Sequence, residues 1–144
     1  MQFRNEYRFL SNFWPCRIVY LNKTYPSVEH AYQVHKTSDE EFREMIRTAS
    51  TPGKAKRMTK GIIPTKEFHA HKKDLMYSLL QLKFSDEELQ KKLLAIEGEI
   101  IEDNYWHDNF WGNCICQKCK TIKGENMLGK LLMKLREEIQ TSKI

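Results

Sequence analysis

A mainly helical α+β domain is the fold class that the sequence predicts, and three observations predict it. Two capping boxes, Ser38-Asp39-Glu40-Glu41 and Ser85-Asp86-Glu87-Glu88, each precede apolar residues at helical spacing. After Asn126, residues Met127, Leu128, Leu131, Leu132, Leu135 and Ile139 make a wide apolar stripe. Alternation of the strand kind is confined to short segments, so helices dominate. At 144 residues, 40% of them hydrophobic and 11% aromatic, the chain suits one domain over residues 1–144. A chain of this size buries roughly two-thirds of its unfolded surface without staples.

Taken in order, residues 3 to 25 predict a short β-hairpin, with alternation in Arg17-Ile18-Val19-Tyr20-Leu21 and a turn at Asn22-Lys23. Ser11 and Asn12 interrupt the aromatic stretch Phe9-Leu10-Ser11-Asn12-Phe13, which reads as a loop whose polar side chains point at a partner. Pro26 cannot sit inside a helix and Ser27 can cap one; from Val28 the residues Val28, Ala31, Tyr32 and His35 fall at helical spacing and face a core. The first capping box opens a helix with Phe42, Met45, Ile46 and Ala49 inward. Thr51-Pro52 starts a short basic helix with Ala55 and Met58 inward, and Gly61 stops it. A longer helix runs from about Lys66 to Phe84, and the second box opens one through Leu89, Leu93 and Leu94. Glu99-Ile100-Ile101-Glu102 reads as a brief strand, and residues 103 to 124 fit no period and make a long structured loop.

Composition narrows the functional classes. No run of 18 apolar residues offers a membrane span, and the first twenty residues hold Arg4, Glu6, Arg8 and Arg17 in place of an apolar signal core. Four cysteines, three of them between Cys114 and Cys119, make a poor disulfide framework, so a soluble protein of the reducing cytoplasm is expected. Of the net charge of +5, the tract from Lys54 to Lys73 carries more than the whole: seven Lys or Arg against Glu67 alone. That excess suits a phosphate-bearing partner, and equally a solvated basic face.

Candidate chemistry gathers at three places. Glu29 sits in the first turn of the helix that follows Ser27, where the helix dipole favours an ionised carboxylate. With Gln33 and Lys36 it forms a polar stripe, which is either a solvated face or part of a site. Asn104 to Asn113 packs four aromatics, one acid and three amides into ten residues, a composition that suits stacking a ring and holding a ribose, or else plugs the core with aromatics. On the last helix Gly129 costs about 1 kcal/mol relative to Ala, so it permits close approach of backbone or ligand. Cys114, Cys116 and Cys119 supply three thiolates, which His107 or Cys16 would complete as a structural zinc site. The expectation drawn is that the reaction needs no metal or cofactor and that this cluster contributes little to it. A zinc base deaminase is set aside, because Gly112-Asn113-Cys114 lacks the Pro and His69-Ala70-His71 lacks the Glu that its motifs require.

In combination, Phe9-Leu10-Ser11-Asn12-Phe13, Tyr25-Pro26-Ser27-Val28-Glu29-His30-Ala31-Tyr32-Gln33, Pro52-Gly53-Lys54-Ala55-Lys56, Lys83-Phe84, Asp108 with Trp111-Gly112, and Asn126 with Leu128-Gly129-Lys130, Leu132-Met133 and Arg136 resemble the NADAR superfamily of YbiA-like N-glycosidases. The resemblance spans nearly the whole chain. It implies a compact, mainly helical α+β fold and hydrolysis of an N-glycosidic bond to ribose. Family substrates include phosphoribosylamino-pyrimidine intermediates of riboflavin synthesis and ADP-ribose attached to guanine, including in DNA. Two departures stand out: Phe68 where relatives often have Trp, and the Cys-rich insert after Trp111-Gly112, found in only some relatives.

Such chemistry passes through an oxocarbenium-like state, which needs a carboxylate nearby and a hold on the leaving base. Glu29 is the first candidate for the carboxylate, and Asp108 shares that role or binds ribose hydroxyls. Phe110 and Trp111 are expected to stack the base and Asn12 to hydrogen-bond it. Arg8, Lys54 and Arg57 are candidates for phosphates, with Asn126 and Gly129 completing the substrate-binding set. The expected partner is a ribosylated nucleobase or ADP-ribose-type substrate, with nucleic acid as a further possibility. A binding module for ADP-ribose or nucleic acid without turnover is the alternative from another class.

Overall fold

The computed structural model describes residues 1–142 of the chain, and about half of it is helical. Its contacts divide it into two units, residues 12–86 and residues 1–11 with the chain from Glu87 onward.

In the first unit a hairpin pairs β1 (Ile18–Tyr20) with β2 (Lys23–Tyr25), antiparallel, Ile18 opposite Tyr25. Its two-residue turn is Leu21-Asn22, one position earlier than expected. Both residues have positive φ, the twist that a tight hairpin turn requires. Four helices follow: α1 (Val28–Gln33, continued by a 3-10 turn over Val34–Lys36), α2 (Glu40–Arg47), α3 (Pro52–Met58) and α4 (Lys66–Lys83). Helix α1 packs against α2, α3, α4 and both strands, and every residue from Val28 to Val34 is buried. Ser27 caps α1 as expected, its Oγ accepting from the His30 amide at 3.1 Å. The cap of α2 is Asp39, not Ser38: Asp39 Oδ1 accepts from the amides of Glu41 and Phe42 at 3.0 and 3.1 Å. Ionised, it suits the positive end of the helix better than a hydroxyl. Met45, expected inward, is 59% exposed, while Ile46 fills that side of α2.

In the second unit, residues Asn5–Leu10 form a 3-10 turn where the sequence suggested part of a hairpin, with Phe9 and Leu10 buried. Helix α5 (Glu87–Leu94) packs against α6 (Met127–Ser142). Between them β3 (Asp103–Asn104) pairs with β4 (Asn113–Cys114) in parallel. The strand expected at residues 99–102 does not form. Its backbone is served by a side chain instead: Asn126 Nδ2 donates to the Ile100 carbonyl at 2.9 Å and Asn126 Oδ1 accepts from the Glu102 amide at 2.9 Å.

Asn126 lies close enough to residues 100–102 because Gly129 has no side chain. A Cβ at 129 would overlap the Ile100 carbonyl oxygen and the Asn126 amide, whereas one at Gly61 meets nothing within 4 Å. Gly129→Ala is therefore expected to lose about 1–3 kcal/mol of unfolding free energy or more, and Gly61→Ala at most a few tenths. Urea unfolding of both variants checks this, and equal midpoints would remove the close-approach account.

Candidate functional site

Helix α1 presents the carboxylate. Glu29 is only 7% exposed, so it is not on the solvated face that a surface-helix pattern suggested, and Gln33, one turn on, is 3% exposed. Gln33 Nε2 donates to Glu29 Oε1 at 2.8 Å, and Gln33 Oε1 accepts from Thr59 Oγ1, itself buried after α3, at 2.5 Å. An Asn or Gln amide can turn over by 180°, but an ionised carboxylate only accepts, so Glu29 takes the NH2 end and leaves the oxygen end to the Thr59 hydroxyl, which also lies 3.1 Å from the Lys56 carbonyl. The Glu29 backbone amide donates to the Asn12 carbonyl at 3.0 Å, which brings Asn12 to the start of α1. Asn12 Nδ2 lies 3.6 Å from Met76 Sδ, and Asn12 Oδ1 is buried without a hydrogen-bond partner among the described residues.

Helix α3 flanks this arrangement. Lys54, Lys56 and Arg57 are exposed on it, Lys56 Nζ lies 6.0 Å from the Phe13 ring centroid, and Gly53 lets Arg57 and Phe13 come near its backbone. Phe68 packs on Tyr32 at 5.6 Å between ring centroids. His30, beside Glu29 in sequence, has a fixed tautomer. The Ala49 carbonyl can only accept, so Nε2 carries the hydrogen and donates at 3.0 Å, while Nδ1 accepts from Ser27 Oγ at 2.7 Å. Burial also holds its pKa below the usual value, so His30 is a neutral structural group.

Of the expected site residues, Asn12, Glu29, Lys54 and Arg57 belong to this unit; Arg8, Asp108, Phe110, Trp111, Asn126 and Gly129 belong to the other. There, Asp108 Oδ1 accepts from the amides of Phe110 and Trp111 at 3.0 and 2.9 Å, closing a turn, and the two rings meet edge to face at 4.8 Å. Both polar atoms of the Asn126 side chain bind backbone, and Gly129 makes room for them. Arg8 is exposed. Cys114, Cys116 and Cys119 lie with His107, and Cys16 lies in the first unit.

Sequence reasoning missed Thr59, whose only signal is that it follows a basic helix. It also passed over Gln33 as a positioning group, although the i, i+4 spacing from Glu29 marks it. Lys83 is wholly buried, and desolvation pushes its pKa from 10.5 down to about 7, partly opposed by nearby Cys16. Cys16 itself is raised, chiefly by burial.

The fold thus defines a mainly helical α+β protein whose first unit holds a buried, amide-held carboxylate. The NADAR domain family model matches residues 1–140, and the chain belongs to the NADAR domain family. It is 35% identical to the N-glycosidase YbiA of Escherichia coli K12, across 96% of this chain and 86% of that protein. It is 30% identical to a riboflavin biosynthesis protein of Vibrio vulnificus, across 92% of this chain but 35% of that one. The NMR structure of E. coli YbiA superposes with a TM-score of 0.82 at 33% identity, covering 99% of this chain and 86% of that one. No helix among the described residues is long and apolar enough to cross a membrane.

Lys83 gives a pH signature. Between about pH 7 and 10.5 the unfolded chain holds a proton that the folded chain has released, so stability rises with pH across that window. Cys16 and Tyr25, whose values are raised from 9.0 and 10.0, pull the other way at higher pH, so the comparison of the parent with Lys83→Met is made between pH 7 and about 8.5. The midpoint of thermal unfolding is expected to climb over that interval and to flatten in Lys83→Met. A flat profile in the parent protein would show that the ammonium keeps its proton when buried.

Proposed function

We propose that the chain is an N-glycosidase, hydrolysing the bond between a ribose carbon and the nitrogen of a base, with Glu29 as its essential carboxylate. The observation that carries this reading is the burial of Glu29 in the grip of Gln33, itself held by Thr59. Taking a carboxylate out of water costs several kcal/mol, a cost better explained by a reacting centre than by stability. As the C–N bond breaks, positive charge develops on the ribose ring; a fixed carboxylate stabilises that charge and orients the attacking water. The leaving base takes the bond's electron pair and, in the end, a proton from water.

Other groups of the same unit suit the rest of the substrate. The unpartnered Asn12 Oδ1 supports a role in hydrogen-bonding the leaving base, since a ligand donor would remove a cost of about 1–3 kcal/mol. Lys54 and Arg57 suit phosphates. Asp108 stays a candidate second carboxylate or ribose ligand, Phe110 and Trp111 stacking groups, and Arg8, Asn126 and Gly129 substrate contacts, within a domain that we take to span 1–144. Two substrates fit: a phosphoribosylamino-pyrimidine, supported by the name of the Vibrio relative, and ADP-ribosylated guanine in nucleic acid, supported by the basic exposed face of α3. The four free thiols suit the cytoplasm.

Incubation with both substrates, with NAD and ADP-ribose as controls, and mass spectrometry of the products tests the reading. Glu29→Gln keeps the side chain's size, so it is expected to fold yet lose on the order of 10²-fold or more in kcat, with little change in substrate affinity. Asp108→Asn is expected to raise KM as well if that residue holds ribose. A folded Glu29→Gln protein with near-full hydrolysis would falsify the assignment and leave Asp108 as the leading carboxylate; binding without turnover by the parent would make the chain a binding module.

For the nucleic-acid substrate, affinity is expected to fall with rising salt, and Ala at Lys56, Arg57 and Lys60 together is expected to flatten that slope. Unchanged affinity and slope would return the tract to a solvated face.

A further inference from the structure

The loop of the second unit ends in a cluster that the proposed hydrolysis does not use. His107 Nδ1 lies 3.3 Å from Cys116 Sγ, 3.4 Å from Cys119 Sγ and 3.7 Å from Cys114 Sγ, and the four ligand atoms all lie within 4.8 Å of one another. Hydrogen bonding does not account for this convergence. A ring nitrogen offers one N–H or one lone pair, so it can serve one of the three sulfurs, not all. Tetrahedral zinc, with bonds of about 2.3 Å to sulfur and 2.0–2.1 Å to nitrogen, sets its nitrogen and sulfur ligands about 3.6 Å apart, in the middle of the observed spread.

The surrounding backbone is built to present these atoms as ligands. His107 has a φ of +66°, in the left-handed region, where histidine is more common than most residues. The amides on either side, Trp106 and Asp108, both donate to Asn104 Oδ1 at 3.2 Å, which holds that bend. Cys114 stands on β4, and its amide donates to Asn109 Oδ1 at 2.9 Å. From Cys116 to Cys119 the chain makes a tight turn, closed by the Cys119 amide on the Cys116 carbonyl at 3.2 Å. The backbone N–H groups of Lys118 and Cys119 are directed at the Cys116 sulfur, and the Asn109 side chain is hydrogen-bonded to Cys119. It is as thiolates that cysteines bind metal.

We propose that His107, Cys114, Cys116 and Cys119 bind one zinc ion and that this ion is structural. Four protein ligands leave no open position for water, which separates it from a catalytic zinc. Three soft thiolates and an imidazole select zinc over magnesium or calcium. The ion clips residue 107 to residue 119 and so fixes the segment that carries Asp108, Phe110 and Trp111. Binding releases the thiol protons, so affinity falls with acidity.

The test is independent of turnover. Protein expressed in zinc-supplemented medium and purified without chelator is expected to contain about one zinc per chain by plasma mass spectrometry. Exchange into cobalt is expected to give the visible bands of a tetrahedral thiolate site. Cys116→Ser and His107→Ala are expected to lose the metal, with a lower unfolding midpoint, whereas Cys16→Ser keeps it. A chelator strong enough to strip zinc is expected to lower the midpoint of the parent protein but not of Cys116→Ser. Should a variant fail to fold, metal content and the cobalt spectrum of the parent still decide. Metal-free protein that takes up no cobalt, a cobalt spectrum without sulfur ligation, or a disulfide among the three cysteines under reducing purification would each overturn the assignment.

Discussion

A short helix buried on every side must find a partner for each polar group it carries, and the first unit is arranged around that demand. Helix α1 has six residues, and three of them, Glu29, His30 and Gln33, are polar and buried. An unsatisfied buried polar group costs about 1–3 kcal/mol, and a charged one more, so its neighbours cannot be chosen for packing alone. His30 draws in the Ala49 carbonyl after α2, Gln33 draws in Thr59 after α3, and the Glu29 amide draws in the Asn12 carbonyl. Each of these bonds fixes one element against α1 at a definite position. The hydrophobic contacts of Val28, Ala31 and Val34 supply the drive to collapse without specifying that register.

In the second unit side chains replace secondary structure. Segment 103–124 has two two-residue strands and one 3-10 turn, yet Asn104, Asp108, Asn109 and Asn113 each bind backbone amides within it. A loop of this length otherwise leaves its amides to water and has a high chain entropy. Four short amide or acid side chains hold it locally, and a metal at its distal end would remove entropy from the unfolded chain as any cross-link does. The same substitution appears at Asn126, whose amide acts as a one-residue strand partner for residues 100–102.

Local rules were legible where an element meets water on one side or announces its ends. The cap Ser27, the start of α3 at Thr51-Pro52 and the spans of α4 and α6 follow from capping and periodicity. Reading the Glu29 stripe as solvent-facing failed because periodicity assumes a helix with one wet face, and α1 has none. The stretch at 99–102 has strand composition, but whether a strand forms depends on a partner, and its partner is a side chain 24 residues or more away. Glu29 was marked as a candidate by its place in a first helical turn, and only the family resemblance weighed it against a solvated face. Its orienting chain was not legible, because the bond from Thr59 to Gln33 joins residues 26 apart, and no local pattern marks it. For the cysteines the spacing suggested three ligands, while choosing His107 over Cys16 needed the fold.

The choice of a neutral amide to hold Glu29 bears on what the carboxylate can do. An arginine or lysine in Gln33's place would add an ion pair to the hydrogen bond, but its positive charge would offset the negative field that an oxocarbenium-like state needs. Gln33 supplies direction while contributing no net charge, and Thr59 holds the far end of the same amide. In the proposed reaction, the carboxylate is thus oriented before substrate arrives. Such preorganisation is worth most where water is excluded, as around a residue 7% exposed. Gln33→Glu would set a second acid against the first and Gln33→Met would leave Thr59 and Glu29 each without this partner. Both substitutions therefore weaken the field or its aim without touching the carboxylate itself.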